Sequence, residues 1–433
     1  MMYKWGFFPL WLPLLWLAFG CAPVRSTRFV LPEAPEASGR KGAFPAGYTG
    51  QLTWQNHLPD PARPEYMPIR YVRVNFHVMN SRDSSRNFKP AAARAYLKDL
   101  LARANVELDT NWVNWRSPEG TKILPKRYRY VLSPQPVPGD DGFYFHYDDA
   151  HYTLVYIGEH QNNYDREVID QYGIGTDSII NVFVQVHPDD SLRSRTYRST
   201  DQGIALGTAL KMANLYESKG EPQRFVGLFN HEIGHILGLS HAWAEDGCPD
   251  TDNHPNRCWT WTETGPCRDQ ASDNMMDYNT YKVALTPCQI GRVHAAFSSE
   301  QHPVRRCLQR TWCVRNPDMD VVVRDSVHWA GARDLEGNLT IAKDGALRLS
   351  GRLSLPADAQ ITVEPGGRLW LDGARVHNAC RDEWKGIFVQ ENRKLKQKGL
   401  VKILRTPVLE NTKLGRGIQK TGQRTKTHNP ATL

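Results

Sequence analysis

His231-Glu232-Ile233-Gly234-His235-Ile236-Leu237-Gly238-Leu239-Ser240-His241 is the stretch on which the reading of this chain turns. Just upstream, Pro222 opens a helix-spaced apolar run that carries Phe225, Leu228, Phe229 and Ile236 and ends at Gly238. Histidines at i and i+4 lie about 40° apart around a helix, so both imidazoles reach one metal ion from one face. Glu232 follows His231 directly and leans toward the coordination position that is left, where water sits. Gly238 lets the chain leave the helix through a left-handed turn, which returns His241 to the same ion. Three protein ligands and one open position mark a catalytic rather than a structural zinc. Zinc brings the pKa of its water toward about 7, so a neighbouring carboxylate takes the proton at neutral pH. The sequence thus predicts Zn2+ on His231, His235 and His241, with Glu232 as general base. The blander readings are surface histidines on an amphipathic helix, or a vestigial zinc site without turnover.

Outward from this helix, the spacing predicts a single mixed sheet. Val72, Val74, Phe76 and Val78 alternate with polar residues over 69–79, which reads as a strand. Pro90 opens a helix to about Asn105, with Tyr96, Leu97, Leu100 and Leu101 on one face. Strands are expected at 123–132, 143–147, 152–157 and 179–186, the last apolar enough to be central, and a short one at 203–206. This order gives an α/β (α+β) domain over 68–300. Beyond it, Ile341, Gly345, Leu347, Leu349 and Gly351 recur as Val363, Gly367, Leu369, Leu371 and Gly373. An offset of 22 residues is about one coil of an all-β solenoid-like segment, expected over 318–390.

The formal net charge is +8, but residues 391–433 alone hold eleven Lys and Arg against two Glu. The basicity belongs to that tail, expected to be disordered, and the near-neutral body excludes nucleic acid as a partner. At the other end, Lys4 precedes an apolar run from Trp5 to Phe19, too short for the roughly 20 residues a bilayer needs and suited to a signal peptide over 1–21. The run ends Leu17-Ala18-Phe19-Gly20-Cys21, which resembles a bacterial lipobox; a lipid on Cys21, anchoring the chain to a membrane, and ordinary cleavage nearby both stay open. Export to the surface or the exterior follows either way. Residues 22–67, rich in Pro, Gly and Ala, read as a linker or pro-segment. After Cys21 there are seven cysteines, and in an oxidising compartment these read as disulfides, with one left over.

The extended motif, with its glycine and third histidine, resembles the metzincin clan of metallopeptidases, and Asn274-Met275-Met276-Asp277-Tyr278 resembles the methionine turn of its pappalysin-like members. The resemblance spans about 68–300 and is sharp over 225–294. It implies a twisted sheet with the zinc helix on the floor of a cleft, Met276 beneath the metal, and Tyr278 steadying the oxyanion. It also implies the pairs Cys248–Cys267 and Cys258–Cys288. Apart from the resemblance, residues 301–317 read as a disulfide-containing linker; a local Cys307–Cys313 pair that leaves Cys380 odd is one option there, and the pairing of these three stays open. In similar enzymes the loop holding Asp246, Asp250 and Asp252 binds structural Ca2+; a solvated acidic turn fits the residues equally well. An edge strand near 203–206 would pair with an extended substrate. The expectation is a secreted or cell-surface zinc endopeptidase acting on protein or peptide. Against it stands a surface adhesion or glycan-binding protein whose zinc site is vestigial.

Overall fold

The computed structural model describes residues 24–31, 53–83, 86–158, 160–189, 202–217, 221–268 and 270–413. The expected signal peptide and Cys21 lie outside these residues. Among the described residues no helix is long and apolar enough to cross a membrane. The first strand, β1 (Val24–Arg28), joins the C-terminal half and is taken up there.

The N-terminal half is built on one long strand, β2 (Arg70–Asn80). Along one edge its first half pairs with β3 (Tyr128–Leu132) and its second half with β4 (Phe143–Tyr147). On the other edge follow β5 (Ile180–Gln185), β7 (Ala209–Ala213) and, outermost, β6 (Gln202–Leu206). All pairings are parallel except β6 with β7, so the edge strand alone runs against the rest. Val72, Val74, Phe76 and Val78 are fully buried against α1 (Pro90–Asp109) and the site helix (Gln223–Ile236). Phe76 stacks at 6.1 Å on Phe229 of that helix. Burying such a phenylalanine is worth on the order of 2 kcal/mol, which fixes the helix on the sheet. The opposite face carries a smaller core, with Met79 and Phe183 under α2 (Glu167–Tyr172).

Three local expectations change. Residues 152–157 form no strand beyond a bridge from Thr153 to Val186, because the Asn162 side chain accepts from the Val155 amide and donates to the Thr153 carbonyl, folding the segment into a loop. The strand expected over 123–132 begins only at Tyr128. β7 was not anticipated, since Ala-Leu-Lys-Met-Ala lacks the β-branched signature of a strand.

The C-terminal half winds through three parallel ladders. One holds β8 (Val321–Val323), β11 (Leu339–Ile341), β14 (Gln360–Val363) and β17 (Gly386–Asn392). A second holds β9 (Ser326–Trp329), β12 (Ala346–Leu349), β15 (Arg368–Asp372) and β19 (Leu400–Arg405). The third holds β10 (Arg333–Asp334), β13 (Arg352–Ser354), β16 (Arg375–His377) and β20 (Val408–Leu409). The register pairs Ile341 with Val363, Leu347 with Leu369 and Leu349 with Leu371, the offset of 22 read from the sequence. The recurring glycines have a steric reason: a Cβ on Gly345 would lie 2.3 Å from the Val323 carbonyl oxygen, and one on Gly367 2.5 Å from that of Ile341. At these two glycines the chain therefore rests directly on the backbone of an earlier strand.

Several boundaries are corrected. The tail expected to be disordered from 391 instead continues the ladders to Leu409 and bridges Trp384 at Thr412, with β18 (Gln397–Lys398) folding back on β17; residues 414–433 lie outside the described ones. Its charges mislead because β19 is largely exposed and needs only one packed face. Residues 22–67 are not a free linker where described. β1 pairs antiparallel with β17, and the turn Trp54–His57 packs so tightly on helix Pro287–Ser298 that a Cβ on Gly291 would lie 2.4 Å from the Trp54 carbonyl. Residues 301–317 are no linker either: the Cys307 carbonyl accepts from the Arg73 amide and Gln309 donates to Tyr71, which docks the segment on β2.

Candidate metal centre

The site helix buries Phe225, Phe229 and Ile233 on the sheet side and turns His231 and His235 to the other. It ends in paired backbone bonds, Leu239 to Gly234 and Gly238 to His235, both 3.0 Å, with Gly238 at φ +93. This is the glycine-terminated helix stop expected from the sequence, and it brings His241 back beside the other two. The His235 Nε2 lies 3.2 Å from that of His231 and 3.1 Å from that of His241.

Whether these nitrogens fit a metal is a question of protons and spacing. His231 Nδ1 is 2.8 Å from the Met275 carbonyl and His235 Nδ1 is 2.9 Å from the Leu239 carbonyl, so in each ring Nδ1 donates and Nε2 presents its lone pair. Burial pushes His231 well below its ordinary pKa, His241 to about 4, and His235 downward as well. The three Nε2 atoms thus gather at one point, with the lone pairs of His231 and His235 turned toward it. Tetrahedral zinc with Zn–N of about 2.0–2.1 Å separates its nitrogens by about 3.3 Å, close to what is found. The donor set fits zinc.

Glu232 is buried beside the triad, between the helix and β6. Burial pushes its carboxyl up to about 7, while Lys282 and the Ala205 amide of β6 pull the other way. The fit to the edge strand is tight: a Cβ on Gly203 would lie 2.7 Å from Glu232 Cγ. Beneath the helix, Gly234 does the same for Met276, whose Sδ would lie 2.3 Å from an added Cβ. The methionine turn is wired by Met276 N to Asn274 Oδ1 at 2.8 Å, Asn274 to Gln289, and Ala242 N to the Met276 carbonyl at 2.9 Å. Tyr278 follows, its ring 4.6 Å from His241 and 5.9 Å from His231. The structure brings all six of these expected residues together.

Four contributors escaped the sequence reading. Trp243 stacks on the outer face of His241 at 5.1 Å. The buried pair His254–Asp277, at 2.7 Å, anchors the backbone before Tyr278, whose amide donates to Asp277 Oδ1. Lys282 bears on Glu232 and all three imidazoles. None of these stands in a periodic pattern. Helix Pro287–Ser298, which carries Gln289, did have a readable start in Thr286-Pro287-Cys288-Gln289, a complete capping box.

The disulfides differ from the expected pairs. Cys248 joins Cys288 and Cys258 joins Cys267, nested rather than alternating, and Cys313 joins Cys380 while Cys307 stays free and buried. Asp250 explains the first: its Oδ2 accepts from the Cys288 amide at 2.9 Å and holds that helix start against Cys248. Cys307 faces the core beside β2, and Cys313 meets the coil instead. The calcium expectation also changes. Asp246 accepts from the Cys248 amide and the Thr251 hydroxyl, Asp250 from Cys288, and Asp252 pairs with Arg116 at 2.5 Å. Among the described residues these three carboxylates do not converge; each serves a protein donor.

No protein-family model matches the chain, and no curated protein matches it. Among solved structures, mature mirolysin of Tannerella forsythia in complex with a cleaved peptide aligns over 55% of this chain and 95% of its own, at 18% identity and TM-score 0.35. Mirolysin in complex with compound 9 aligns over 56% and 96%, at 18% identity and TM-score 0.36. A promirolysin mutant from Tannerella forsythia aligns over 61% and 92%, at 17% and 0.36. Likeness this faint carries no argument, and function rests on the side chains above.

Proposed function

We propose that this chain is a zinc-dependent endopeptidase of pappalysin-like metzincin type that hydrolyses protein or peptide substrates outside the cell. The observation that carries it is the convergence of three imidazoles beside a buried carboxylate, next to the outermost described strand of the sheet. Zinc held by His231, His235 and His241 would polarise the scissile carbonyl and acidify water. Glu232, kept near neutrality by burial, takes a proton from the attacking water and passes it to the leaving amine. The Tyr278 hydroxyl donates toward the oxygen that gains negative charge. β6, the outermost strand of its sheet among the described residues, would offer its outer edge to an extended substrate beside Glu232. Export through residues 1–21, with or without a lipid on Cys21, and a β-solenoid formed by the three ladders belong to the same proposal. Replacing Glu232 by Ala tests it: zinc content should stay near one per chain while cleavage of a denatured protein disappears. Retained cleavage would refute the assigned base.

A further inference from the structure

A cleft of about 1110 Å³ opens where the metal-centre half meets the coil. Arg73, Arg305, Arg306 and Arg310 line it from one side, Arg375 and Arg381 from the other, against only Glu300 and Glu410. Both carboxylates are held by Arg375, at 2.6 and 2.8 Å, and Arg305 is held by the buried Asp334. Arg73 donates to the carbonyls of Ser178 and Arg306. That leaves Arg306, Arg310 and Arg381, all exposed and without an ion pair among the described residues.

Arg381 is the informative one. Its φ is +68, a left-handed conformation that costs a side chain roughly 1–2 kcal/mol and that glycine adopts freely. The turn is held by other groups: Asn378 Oδ1 accepts from the Cys380 and Asp382 amides at 2.7 and 3.2 Å, and Cys380 is tied to Cys313. Nothing in that wiring needs a guanidinium, and strain of this kind gathers at ligand clamps. The other side of the question is what the cleft lacks. Its aromatic, Trp312, is buried with Arg70 and Arg305 over its ring at 5.3 and 4.5 Å, so no face is open for a sugar or a base. Residues 414–433 carry Arg416, Lys420, Arg424 and Lys426 and no acidic side chain, so their charge has the same sign as the cleft's.

We propose that this cleft binds an Asp- and Glu-rich peptide segment of a protein partner, whose carboxylates pair with Arg306, Arg310 and Arg381. If the peptidase reading holds, on which this extension alone rests, the cleft is an exosite that tethers acidic substrates. Fluorescently labelled deca-glutamate, titrated into the full chain and followed by anisotropy, tests binding without reference to catalysis. Saturable binding should weaken about tenfold when Arg306, Arg310 and Arg381 are all replaced by Ala, and should weaken with added salt. Arg381→Gly alone should weaken binding yet unfold no earlier than the unaltered protein. Equal affinity in the triple variant overturns the proposal, as does a sulfated glycan or an oligonucleotide binding more tightly than the peptide. With a peptide substrate carrying an acidic extension, the triple variant should raise KM and leave kcat; with a short neutral substrate it should change neither. A protein that cleaves nothing would fail the peptidase reading and leave the anisotropy result standing.

Discussion

Replacing Asp334 by Asn should loosen the whole molecule, because one carboxylate neutralises arginines from both halves. Asp334, on β10, accepts from Arg305 at 2.6 and 3.1 Å and from Arg352 at 2.7 Å, while its carbonyl accepts from Arg70 at 2.6 Å. Arg305 also donates to the Phe297 carbonyl and Arg352 to that of Ser298, so the guanidiniums cannot turn to solvent. Asn keeps the shape and removes the charge, leaving two buried cations short of a counter-ion. Breaking a buried pair from one side costs about 3–5 kcal/mol, and at about 2–4 °C per kcal/mol the unfolding midpoint should fall by about 6–20 °C. The pH dependence gives a second handle. Burial opposes ionisation, but Arg305 and Arg352 hold the Asp334 carboxyl well below the usual range. A depressed folded pKa gives stability that is present above the unfolded value of about 3.9 and lost as pH falls through the folded one. The gap between the two proteins, followed by tryptophan fluorescence on heating, should therefore be full at pH 7 and narrow below about pH 4. Adding Arg352→Met should recover part of the loss, since an apolar replacement removes the stranded charge. A midpoint within about 1 °C of the parent at pH 7, or a gap unchanged at pH 3, would refute the reasoning.

The metal centre offers three further tests. Gly234→Ala pushes a methyl into Met276 and should destabilise by about 1–3 kcal/mol with reduced zinc content, read by denaturant unfolding and elemental analysis. Under the role proposed for its hydroxyl, on charge that develops only in the transition state, Tyr278→Phe should lower kcat about 100-fold with KM within about twofold; an unchanged kcat removes that role. Chelation should abolish cleavage and lower the unfolding midpoint, with both restored by Zn2+ and not by Ca2+, since Asp246, Asp250 and Asp252 are engaged by protein donors.

Much of the centre was legible because helical geometry is local. The i, i+4 histidines, Gly238 and the strand at β2 follow from rules a few residues wide, and the 22-residue repeat became a register because parallel ladders set like residues side by side. The disulfides were not legible, because spacing alone does not choose partners; Asp250 and the start of helix Pro287–Ser298 chose them. Residues 391–413 misled through composition: Arg393, Lys394 and Lys396 sit in a turn between strands, and Lys402 and Arg405 lie on a strand with one packed face. The Asp334 network and the pair His254–Asp277 join residues far apart in sequence, and no periodicity announces them.

The bond between Cys313 and Cys380 staples the end of one half to the middle of the other across 67 residues. Any single cut between those two positions falls inside the staple, so the fragments stay attached until a reductant arrives. A single nick anywhere from β8 to β16 would therefore leave both pieces of the chain joined.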